Sequence, residues 1–555
     1  MFLRYVHIAQ PRRILNLPRA LHDVYTEGPD KIGDFPGIGK DLKEKIIEMM
    51  ATGRLKYYDD LIKEFKPGFL DLLDIAGLGP KKLKKLRAEL GVESMNDLEK
   101  VCKNGKLAVL EGMGEKTQDK LLDGIAHFRE REGRMLLTVA DAWADEIIDH
   151  LKASKLFKKI EKAGSLRRGR ETVGDIDILT AAKDVEKAMD LFVNYSNVEN
   201  IIARGKTKSS ISIKEGPQVD LRVVDDKCFG AAHVYFTGSQ QHNIKLRQIA
   251  KKKNWKVSEY GVFSISKAGR ETMIAGKTEE DLYKKLGMEW IPPELRENRG
   301  EIEAALENRI PEDLIDMKSV KGDLHLHTDE TDGKSSLEEI IEKAKSKGHK
   351  YIAITNHSQL VRIANGMDEK RLMKHIEAVR KAASKEKNIK IIVGAEVDML
   401  GDGTLDYPDT VLKELDVVIA AIHSQFTLDL EKQTGRVLRA LDNKYVNLLA
   451  HPSGRLITTR KPLQLDFDRI FKKAAENNVF LEINTHGERI DLNDNNCIRA
   501  KELGARFVIN TDAHEAAQMD KMKYGVMTAR RAWLEKKDVL NTYSFAKMMK
   551  ELCKL

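Results

Sequence analysis

Six short apolar runs follow one another in the carboxyl-terminal half of the sequence, and they limit its possible folds more than any other feature. Each run is rich in β-branched residues and is followed by a turn and a helix-like stretch. Strands that alternate with helices in this way are typical of a parallel βα barrel. The predicted strands are Tyr351–Thr355, Ile391–Val397, Val417–His423, Val446–His451, Phe480–Asn484 and Phe507–Thr511.

Histidines and carboxylates are concentrated at the ends of these runs. In a βα barrel the carboxyl ends of the strands converge on one mouth, where active sites form. A single histidine is more often structural than a ligand, but six imidazoles and three carboxylates cannot share one mouth without cations. Mixed nitrogen and oxygen ligands favour Zn²⁺, Mn²⁺ or Fe²⁺ over Mg²⁺ alone. The candidate ligands are His325, His327, Asp332, His357, Glu396, His423, His451, Asp512 and His514, whereas His349, His375 and His486 are expected to be non-ligands.

The length of the chain predicts more than one domain. At 555 residues it exceeds what one hydrophobic core normally organises. Residues 290–318 contain a proline pair and mixed charges, so we expect a linker there and a boundary near residue 318. Before about residue 160 the sequence reads as helical, and short β-branched runs between residues 173 and 224 predict a small sheet.

Composition adds little about function. The 95 Lys and Arg residues exceed the 87 Asp and Glu residues, and the net charge of +8 is weak evidence for a polyanionic partner. The four cysteines form no C-x-x-C pair, no apolar run reaches membrane-spanning length, and the amino terminus lacks a signal-peptide core. We expect a cytoplasmic protein that binds no membrane, and we expect it to be a monomer.

A short glycine pattern occurs three times in the first 120 residues, as Pro36-Gly-Ile-Gly, Ala76-Gly-Leu-Gly and Glu111-Gly-Met-Gly. Glycine lets the backbone approach a phosphate, and the amide groups at a helix start face it. One copy would usually be an ordinary loop. Three copies with basic residues nearby favour helix-hairpin-helix units that bind the DNA backbone without reading bases. The predicted contacts are Gly37, Gly39, Gly77, Gly79, Gly112 and Gly114.

The segment from Gly164 to Asp177 reads G-S-L-R-R-G-R-E-T-V-G-D-I-D. Asp175 and Asp177 are two residues apart on a predicted strand, so both carboxylates point to one face, and Asp220 can reach them from a neighbouring strand. Two Mg²⁺ ions would relieve the repulsion among these acids, activate a 3′-hydroxyl and stabilise a leaving pyrophosphate. The alternative is an edge strand with solvated acids, which the preceding G-S-L-R-R-G disfavours.

This block, together with Tyr235-Phe236-Thr237-Gly238, closely resembles the X family of DNA polymerases over most of residues 20–315. From the residues alone, Tyr235–Gly238 would be the end of a core strand and a turn. The resemblance implies that Asp175, Asp177 and Asp220 are the catalytic, metal-binding carboxylates. It implies nucleotide contacts from Ser165, Arg168, Gly174, Tyr235, Phe236, Gly238 and Asn243, and a DNA contact from Arg247.

Lys45 lies nine residues after Pro36. Relatives with 5′-deoxyribose-phosphate lyase activity carry a Schiff-base lysine near this position, and a lysine that contacts phosphate is an equally good interpretation. Those relatives have additional helices that complete the lyase pocket, and the short segment before Leu17-Pro18 argues against lyase activity here.

The second set of candidate ligands resembles the PHP (polymerase and histidinol phosphatase) domain over residues 319–555. The resemblance implies a distorted (β/α)7-type barrel, two or three Mn²⁺ or Zn²⁺ ions, and phosphoester hydrolysis. No ligand position is replaced, so we expect an active domain. The implied ligands are His325, His327, Glu396 and Asp512 for one metal, Glu396, His423 and His451 for a second, and Asp332, His357 and His514 for a third.

PHP domains joined to X-family polymerases are typical of bacterial and archaeal repair enzymes. The resemblance therefore implies gap filling in base-excision repair on gapped or primed DNA with deoxynucleoside triphosphates. It also implies a 3′→5′ exonuclease, with abasic-site endonuclease and 3′-phosphatase as further activities. Three alternatives stay open: nucleotide transfer to a non-DNA acceptor, a small-molecule phosphatase of the histidinol-phosphate type, and a non-catalytic DNA-binding scaffold. The expected domains are a helical hairpin-repeat region (1–130), an α+β nucleotidyltransferase palm (131–225), a thumb with linker (226–318) and the PHP barrel (319–555).

Overall fold

The computed structural model describes residues 25, 28–34, 38–52, 69, 72–73, 75, 78–107, 109–110, 112–129, 134–214 and 216–553. The chain forms two compact units, Met1–Glu132 and Gly133–Leu555. No helix among the described residues is both long and apolar enough to cross a membrane. The prediction of a multidomain protein is confirmed.

The first unit is helical over its described residues. A 3₁₀ turn (Pro29–Asp34) is followed by α1 (Lys40–Thr52), α2 (Pro80–Leu90), α3 (Met95–Lys103) and α4 (Glu115–Arg129). The Ser94 side chain caps α3 by accepting a hydrogen bond from the Asp97 amide. Leu98, Val101 and Cys102 form the buried face of α3 and pack with residues of α2 and α4 in one apolar cluster.

A five-stranded mixed sheet, the palm, begins the second unit. Its elements are β1 (Met135–Leu136), α5 (Leu137–Ala153), β2 (Phe157–Lys162), α6 (Gly164–Arg167), β3 (Thr172–Val173), β4 (Asp175–Ala182), α7 (Val185–Val193), β5 (Val198–Arg204), β6 (Lys208–Ile213) and β7 (Gln218–Val223). The strand order is β2–β4–β7–β6–β5. β4 and β7 are parallel, and the other pairs are antiparallel. Buried residues of α5 and α7 pack on this sheet.

The thumb follows the palm and has its own core. Its elements are α8 (Phe229–Thr237), α9 (Gln240–Lys252), β8 (Trp255–Ser258), β9 (Gly261–Ile265), β10 (Glu271–Ala275), α10 (Glu279–Leu286) and α11 (Glu301–Leu306). The three strands form an antiparallel sheet in the order β10–β9–β8. The prediction of a linker at residues 290–318 is wrong in part, because Ile291, Leu295 and Ile302 are buried in the thumb core.

Seven parallel strands form the barrel of the carboxyl-terminal part. They are β11 (Gly322–Asp323), β12 (Tyr351–Ile354), β13 (Lys390–Asp398), β14 (Val417–Ala421), β15 (Leu448–Leu449), β16 (Phe480–Asn484) and β17 (Phe507–Asn510), and they pair in chain order. Beyond the ends of β11 and β17, Leu326 pairs with Ala513 in parallel and the His327 amide donates to the Ala513 carbonyl at 2.9 Å. The sheet is therefore nearly closed, and the predicted barrel is confirmed.

Helices surround this barrel because its strands alternate between two apolar faces. They are α12 (Leu337–Ser346), α13 (Glu369–Lys385), α14 (Asp409–Leu412), α15 (Leu430–Leu441), α16 (Phe467–Glu476), α17 (Asp494–Glu502), α18 (Met522–Arg531) and α19 (Phe545–Leu552). In β12, Ile352 and Ile354 belong to the cluster shared with the surrounding helices. Tyr351 and Ala353 belong to the second cluster, which includes Met548 of α19.

Two predictions for the region before the barrel are wrong. Tyr235–Thr237 lie in helix α8, not in a strand, and Gly238 ends that helix. The stretch Phe229–Val234 is buried on nearly all sides, so its apolar pattern carries no helical period that would distinguish the two structures. The region before residue 160 also contains β1 and the start of β2, which pairs with β4 as an edge strand of the palm.

Candidate active sites

The carboxylates of Asp175, Asp177 and Asp220 lie together on the palm sheet. β4 and β7 are adjacent, and their register places Asp177 opposite Asp220. One oxygen atom from each of the three side chains lies within 4.8 Å of the others. Asp175 and Asp177 share a face because side chains alternate along a strand. The cluster is a set of hard oxygen ligands of the kind that binds Mg²⁺.

The electrostatics of this cluster are those of repelling acids. Burial, together with the charges of Asp175 and Asp220, raises the pKa of Asp177 to about 7. Burial also acts to raise the pKa of Asp220, but hydrogen bonds, led by the one from Lys208, outweigh it and lower that pKa. The Lys208 ammonium lies 2.5 Å from Oδ2 of Asp220. The sequence analysis did not identify Lys208, although its position on a strand beside the acids was a usable signal.

The glycine-serine turn lies against these carboxylates. Gly164 has a φ of +61°, and a Cβ atom there would lie 2.3 Å from Oδ2 of Asp177. Only glycine lets helix α6 begin this close to the acid. Ser165 follows in α6 and is half-buried, and Gly174 immediately precedes β4.

Arg168 connects the palm to the thumb and the barrel. Its Nε atom donates to Oε1 of Glu297 at 2.9 Å, and its Nη1 atom donates to the Thr237 carbonyl at 2.7 Å. Arg531 of α18 donates to the same Glu297 oxygen at 2.9 Å and to the Arg168 carbonyl at 2.8 Å. The side chain predicted to hold a triphosphate is thus anchored by two thumb residues, and its backbone carbonyl accepts a hydrogen bond from the barrel.

The residues predicted to contact the nucleotide sugar and base lie at the end of α8 and the start of α9. The rings of Tyr235 and Phe236 are nearly perpendicular, with centroids 5.1 Å apart. Nδ2 of Asn243 donates to the carbonyls of Tyr235 at 2.7 Å and Gly238 at 3.1 Å. Arg247 lies one turn further along α9 and is exposed, and its Nε atom donates to the Asn243 carbonyl at 3.3 Å. The side chain of Asn243 therefore fixes the helix end that carries both aromatic rings.

The barrel mouth brings the predicted ligands together. Eight of the nine belong to three groups whose ligand atoms lie within 4.8 Å of one another. The groups are His327, Asp332, His357 and His514; then His325, His327 and Asp512; and then His357, Glu396 and His423. The ninth, His451, has its Nε2 atom 2.9 Å from Oε1 of Glu396. His327 and His357 each belong to two groups, so the groups are contiguous.

Two of these residues have an unusual backbone. His451 follows β15 with a φ of +28°, and Asp512 follows β17 with a φ of +51°. Residues other than glycine rarely adopt a positive φ, and they do so chiefly where function fixes the side chain. Both side chains are thereby turned into the same mouth as Glu396.

The electrostatics of the mouth show a buried, charged network. Burial alone would raise the pKa of Glu396, but the imidazoles of His423, His357 and His325 hold it well below its usual value. Burial would lower the pKa of His357, yet Glu396 and Asp332 raise it to about 10. Each group is stabilised only by its neighbours, as expected for ligands of a shared cation cluster.

Unsatisfied atoms support metal binding at the mouth. Several candidate ligand atoms are buried and form no hydrogen bond within the part of the chain that the structure describes: Nε2 of His325 and His327, Nδ1 of His357, Oε2 of Glu396 and Oδ1 of Asp512. A buried polar atom without a partner costs about 1–3 kcal/mol, and cations bound by the ligand groups would satisfy these five atoms. The donor set of imidazoles and carboxylates suits a transition metal.

Two buried acids that the sequence analysis missed hold the candidate ligands in place. Oε1 of Glu482 lies 2.7 Å from Nδ1 of His325, and Oε2 accepts from the His451 amide at 2.8 Å. Asp398 accepts from the His423 amide at 2.8 Å. A carboxylate within an otherwise apolar barrel strand, as in F-L-E-I-N, was the available signal. These acids fix the imidazole orientations.

The three histidines expected to be non-ligands lie outside the ligand groups of the described residues. His349 and His375 are buried, and Nε2 of His375 lies 3.2 Å from Nδ2 of Asn356. His486 is half-buried in the loop after β16. Burial lowers the pKa of each to about 4.

The second glycine of each hairpin pattern lies directly before a helix in the first unit. Gly39 precedes α1, Gly79 precedes α2, and Gly114 precedes α4. Gly112 has a φ of +80°, and a Cβ atom at Gly39, Gly79, Gly112 or Gly114 would meet no atom of the described residues within 4 Å. The backbone is therefore open to a ligand at these turns. Lys45 lies on α1 and is half-buried, whereas Gly37 and Gly77 lie outside the described residues.

Comparisons with known families cover all three regions. Residues 69–126 match the SAM-like helix-hairpin-helix tandem, residues 232–297 match the DNA polymerase beta thumb, and residues 323–486 match the PHP domain. These matches confirm the predicted hairpin region, thumb and metallohydrolase barrel.

Whole-chain relatives extend these matches. The chain is 38% identical over 517 residues to the DNA polymerase/3′-5′ exonuclease PolX of Bacillus subtilis, which covers 93% of this chain and 90% of the relative. It is 24% identical over 289 residues to DNA polymerase lambda of Rattus norvegicus, covering 47% of this chain and 48% of that one. A probable phosphatase of Thermoanaerobacter sp. is 26% identical over 231 residues, covering 40% of this chain and 89% of that one. The chain therefore belongs to the family X DNA polymerases that carry a carboxyl-terminal PHP domain.

Proposed function

We propose that the protein is a DNA-directed DNA polymerase that fills gaps during base-excision repair and that its barrel degrades DNA from the 3′ end. The observation that carries this proposal is the presence of two separate sets of metal-binding side chains in one chain. Three carboxylates lie on the palm sheet, and six imidazoles with three carboxylates lie at the barrel mouth. The Bacillus subtilis relative is named for the same pair of activities.

The palm would join a deoxynucleotide to a primer. The primer 3′-hydroxyl loses its proton, its oxygen bonds to the α-phosphorus, and pyrophosphate leaves. Asp175, Asp177 and Asp220 would hold two Mg²⁺ ions, which supply the positive charge that this transfer needs. Ser165 directly follows Gly164, whose backbone lies against Asp177, and we assign it to the binding of phosphate oxygens.

The end of α8 would select the nucleotide. Tyr235 and Phe236 present a perpendicular pair of rings, and a sugar packed on such a surface leaves little room for a 2′-hydroxyl. Asn243 fixes this helix end through two carbonyl contacts. Arg247 is exposed on α9, and we assign it to contact with the DNA strand.

The barrel would hydrolyse the terminal phosphodiester of a DNA strand. Water bonds to phosphorus, the P–O3′ bond breaks, and the leaving oxygen takes up a proton, so a nucleoside monophosphate is released. We assign two or three Mn²⁺ or Zn²⁺ ions to the three ligand groups, where they would make water more acidic and balance phosphate charge. Glu482 and Asp398 keep the imidazoles oriented, and the buried mouth limits bulk water. Abasic-site endonuclease and 3′-phosphatase activities would use the same groups.

The first unit would bind the DNA substrate. Its open glycine turns precede helices, where backbone amides are directed towards a phosphate. Such contacts bind DNA of any sequence, as a repair enzyme requires. Deoxynucleoside triphosphates and gapped DNA are the partners that follow from this proposal, and the cytoplasm is its proposed location.

A small-molecule phosphatase is the second candidate for the barrel. It is favoured by the probable phosphatase of Thermoanaerobacter sp., 89% of whose length matches 40% of this chain. The two candidates differ in substrate, so the rate on single-stranded DNA compared with that on histidinol phosphate separates them. The hairpin unit and the palm in the same chain favour DNA.

The deciding experiment uses paired variants of the two sites. Purified protein is incubated with gapped DNA, deoxynucleotides and Mg²⁺ or Mn²⁺, and extension and degradation of the primer are followed together. Asp220→Ala should abolish extension and keep degradation, and Glu396→Ala should do the reverse. Glu199→Ala on β5 and Glu338→Ala on α12 remove exposed acids of the same two regions and should change neither activity. If both site variants lose both activities equally, the two-site proposal is wrong.

A further inference from the structure

The rim of the barrel mouth carries positive charge above the metal-binding groups. A cavity of about 490 Å³ opens over Glu396, His423 and Asp512, and three arginines help to line it: Arg362, Arg460 and Arg489. Arginine is the side chain best suited to bind phosphate, because its planar fork donates two parallel hydrogen bonds. The arginines lie on the open side of a site whose floor is formed by acids and imidazoles.

Arg460 is held rigidly but keeps hydrogen-bonding capacity. Its guanidinium lies over the Phe426 ring, 4.2 Å from the ring centroid, and its Nε atom donates to the Gly454 carbonyl at 2.7 Å. Within the described ranges of the chain no carboxylate forms an ion pair with it, and its two terminal nitrogens donate no hydrogen bond. The ring and the carbonyl thus orient a charged fork that faces the cavity.

Arg489 lies across the same cavity and is fixed through its backbone. The Arg455 side chain donates to the carbonyl of Arg489 at 3.0 Å and to that of Ile490 at 2.6 Å. Nε of Arg489 lies 3.9 Å from Oδ2 of Asp512, at the floor of the mouth. Burial and the positive charge of Arg489 lower the pKa of Arg460 to about 10. An anion bound between the two guanidinium groups would relieve this repulsion.

Two exposed aliphatic side chains, Leu360 and Ile363, complete the rim and are called the apolar lip. Leu360 and Ile363 line the cavity and are 40% and 80% exposed, respectively. The segment that carries them, which includes a 3₁₀ turn (Arg362–Ala364), is well anchored. Val361 and Ala364 are buried beneath it, and the Leu360 amide donates to Oδ2 of Asp406 at 2.7 Å. A rigid turn that keeps a large aliphatic side chain in water beside an active site presents a surface for an apolar ligand face.

We propose that this rim is a subsite for the 3′-terminal nucleotide of a single DNA strand. The base and sugar pack on Leu360 and Ile363, and the phosphate of the same nucleotide binds Arg460 and Arg489. The inference rests on the proposed DNA hydrolysis and names the substrate group that the barrel recognises. A free phosphate or a small polar phosphomonoester would use the arginines and gain nothing from the lip. The apolar contact therefore selects nucleotides over such phosphates.

Competition by the reaction product tests this subsite without requiring a DNA duplex. Full-length protein with Mn²⁺ hydrolyses bis(p-nitrophenyl) phosphate, and inhibition constants are measured for thymidine 5′-monophosphate and for inorganic phosphate. The wild type should bind the nucleotide about ten-fold more tightly than phosphate, the difference expected from burying about 50 Å² of apolar surface on the lip. Ile363→Ser should remove most of that preference and leave the phosphate constant unchanged. Arg460→Ala should weaken both inhibitors, and Arg460→Lys should restore part of the binding.

Controls keep the two proposals separable. Ile202→Ser makes the same change at a 54% exposed position on β5, and Arg439→Ala removes an exposed arginine of α15; neither should alter the inhibition constants. On a single-stranded oligonucleotide, Ile363→Ser should raise KM about ten-fold and leave kcat nearly unchanged. A wild type that hydrolyses neither diester nor oligonucleotide contradicts the proposed function itself. An active wild type without preference for the nucleotide, or a preference that survives Ile363→Ser, overturns the subsite alone.

Discussion

Arg455 of the barrel forms an ion pair with Glu171 of the palm, with Nη2 of the arginine 2.5 Å from Oε2 of the glutamate. Glu171 belongs to the loop between α6 and β3, two residues after the G-S-L-R-R-G segment ends at Gly169. Arg455 also holds the carbonyls of Arg489 and Ile490 in the loop beside the barrel mouth. A single buried side chain thus connects the loops of the two candidate active sites.

Removing this arginine should destabilise the second unit. Arg455→Ala leaves two buried carbonyls without a donor. We expect the free energy of unfolding to fall by about 3 kcal/mol, which calorimetry would detect as a lower unfolding temperature. Barrel hydrolysis should fall as well because Arg489 loses its backbone support. Glu171→Gln keeps an acceptor for Arg455 and should cost less. Equal destabilisation by both variants would contradict the view that the carbonyl contacts dominate.

Glu279 should make stability depend on pH. Both of its oxygens accept hydrogen bonds from Arg296, at 2.7 and 2.8 Å, and from Arg167, at 2.6 and 3.0 Å. Burial would raise the pKa of Glu279, but the two guanidinium groups hold it far below its ordinary value of 4.5. A carboxylate with a depressed pKa contributes stability above its unfolded pKa and loses it as the pH falls below that value.

Glu279→Gln would leave two buried guanidinium groups without a counter-charge. We expect the free energy of unfolding to fall by about 3–5 kcal/mol at pH 7. This difference from the wild type should shrink as the pH falls from about 4.5 towards 3, because the wild type then loses the same contribution. Unfolding temperatures of the wild type and the variant across this range provide the measurement. Glu280→Gln, an exposed neighbour on α10, should show no such trend. If the difference in unfolding temperature between the wild type and Glu279→Gln did not change with pH, the ionised Glu279 carboxylate would not be the source of this stability.

The sequence predicted the barrel and the convergence of its ligands for a simple physical reason. His423, His451 and Asp512 directly follow apolar runs, and parallel strands bring their carboxyl ends to one edge. The helical nature of Tyr235–Thr237 was missed because a segment buried on nearly all sides has no period. The pairing of Arg455 with Glu171 was equally out of reach, since 284 positions separate the two residues and no local pattern relates one to the other. Local patterns therefore predicted each domain, and the contacts between domains required the structure.

The two buried acids at the barrel mouth should control different metal-binding groups. Glu482 orients His325, which belongs to the group with His327 and Asp512, whereas Asp398 orients His423, which belongs to the group with Glu396. We expect Glu482→Gln and Asp398→Asn each to weaken one class of Mn²⁺ or Zn²⁺ site by about 10- to 100-fold.

Isothermal titration of metal-free protein provides the measurement for these two variants. Each should lower the affinity of one class of site and leave the stoichiometry of the remaining sites unchanged. The double variant should lose both classes. If the single variants weaken the same class of site, the groups act as one cluster and the assignment of separate acids to separate groups fails.

Lys208 should compete with metal ions at the palm. Its ammonium lies 2.5 Å from Oδ2 of Asp220, so a cation bound to that oxygen must displace a charge already present. Lys208→Met removes the competing charge and should raise the affinity of the palm for Mg²⁺. The increase should be small, because solvent screens a side chain that is 39% exposed. We expect the Mg²⁺ concentration for half-maximal primer extension to fall about three-fold. Lys214→Met, an exposed lysine beyond the end of β6, is the matched control and should leave that concentration unchanged. A higher Mg²⁺ requirement for Lys208→Met would instead show that the ammonium assists the binding of the negatively charged nucleotide, which would make Lys208 part of the substrate site.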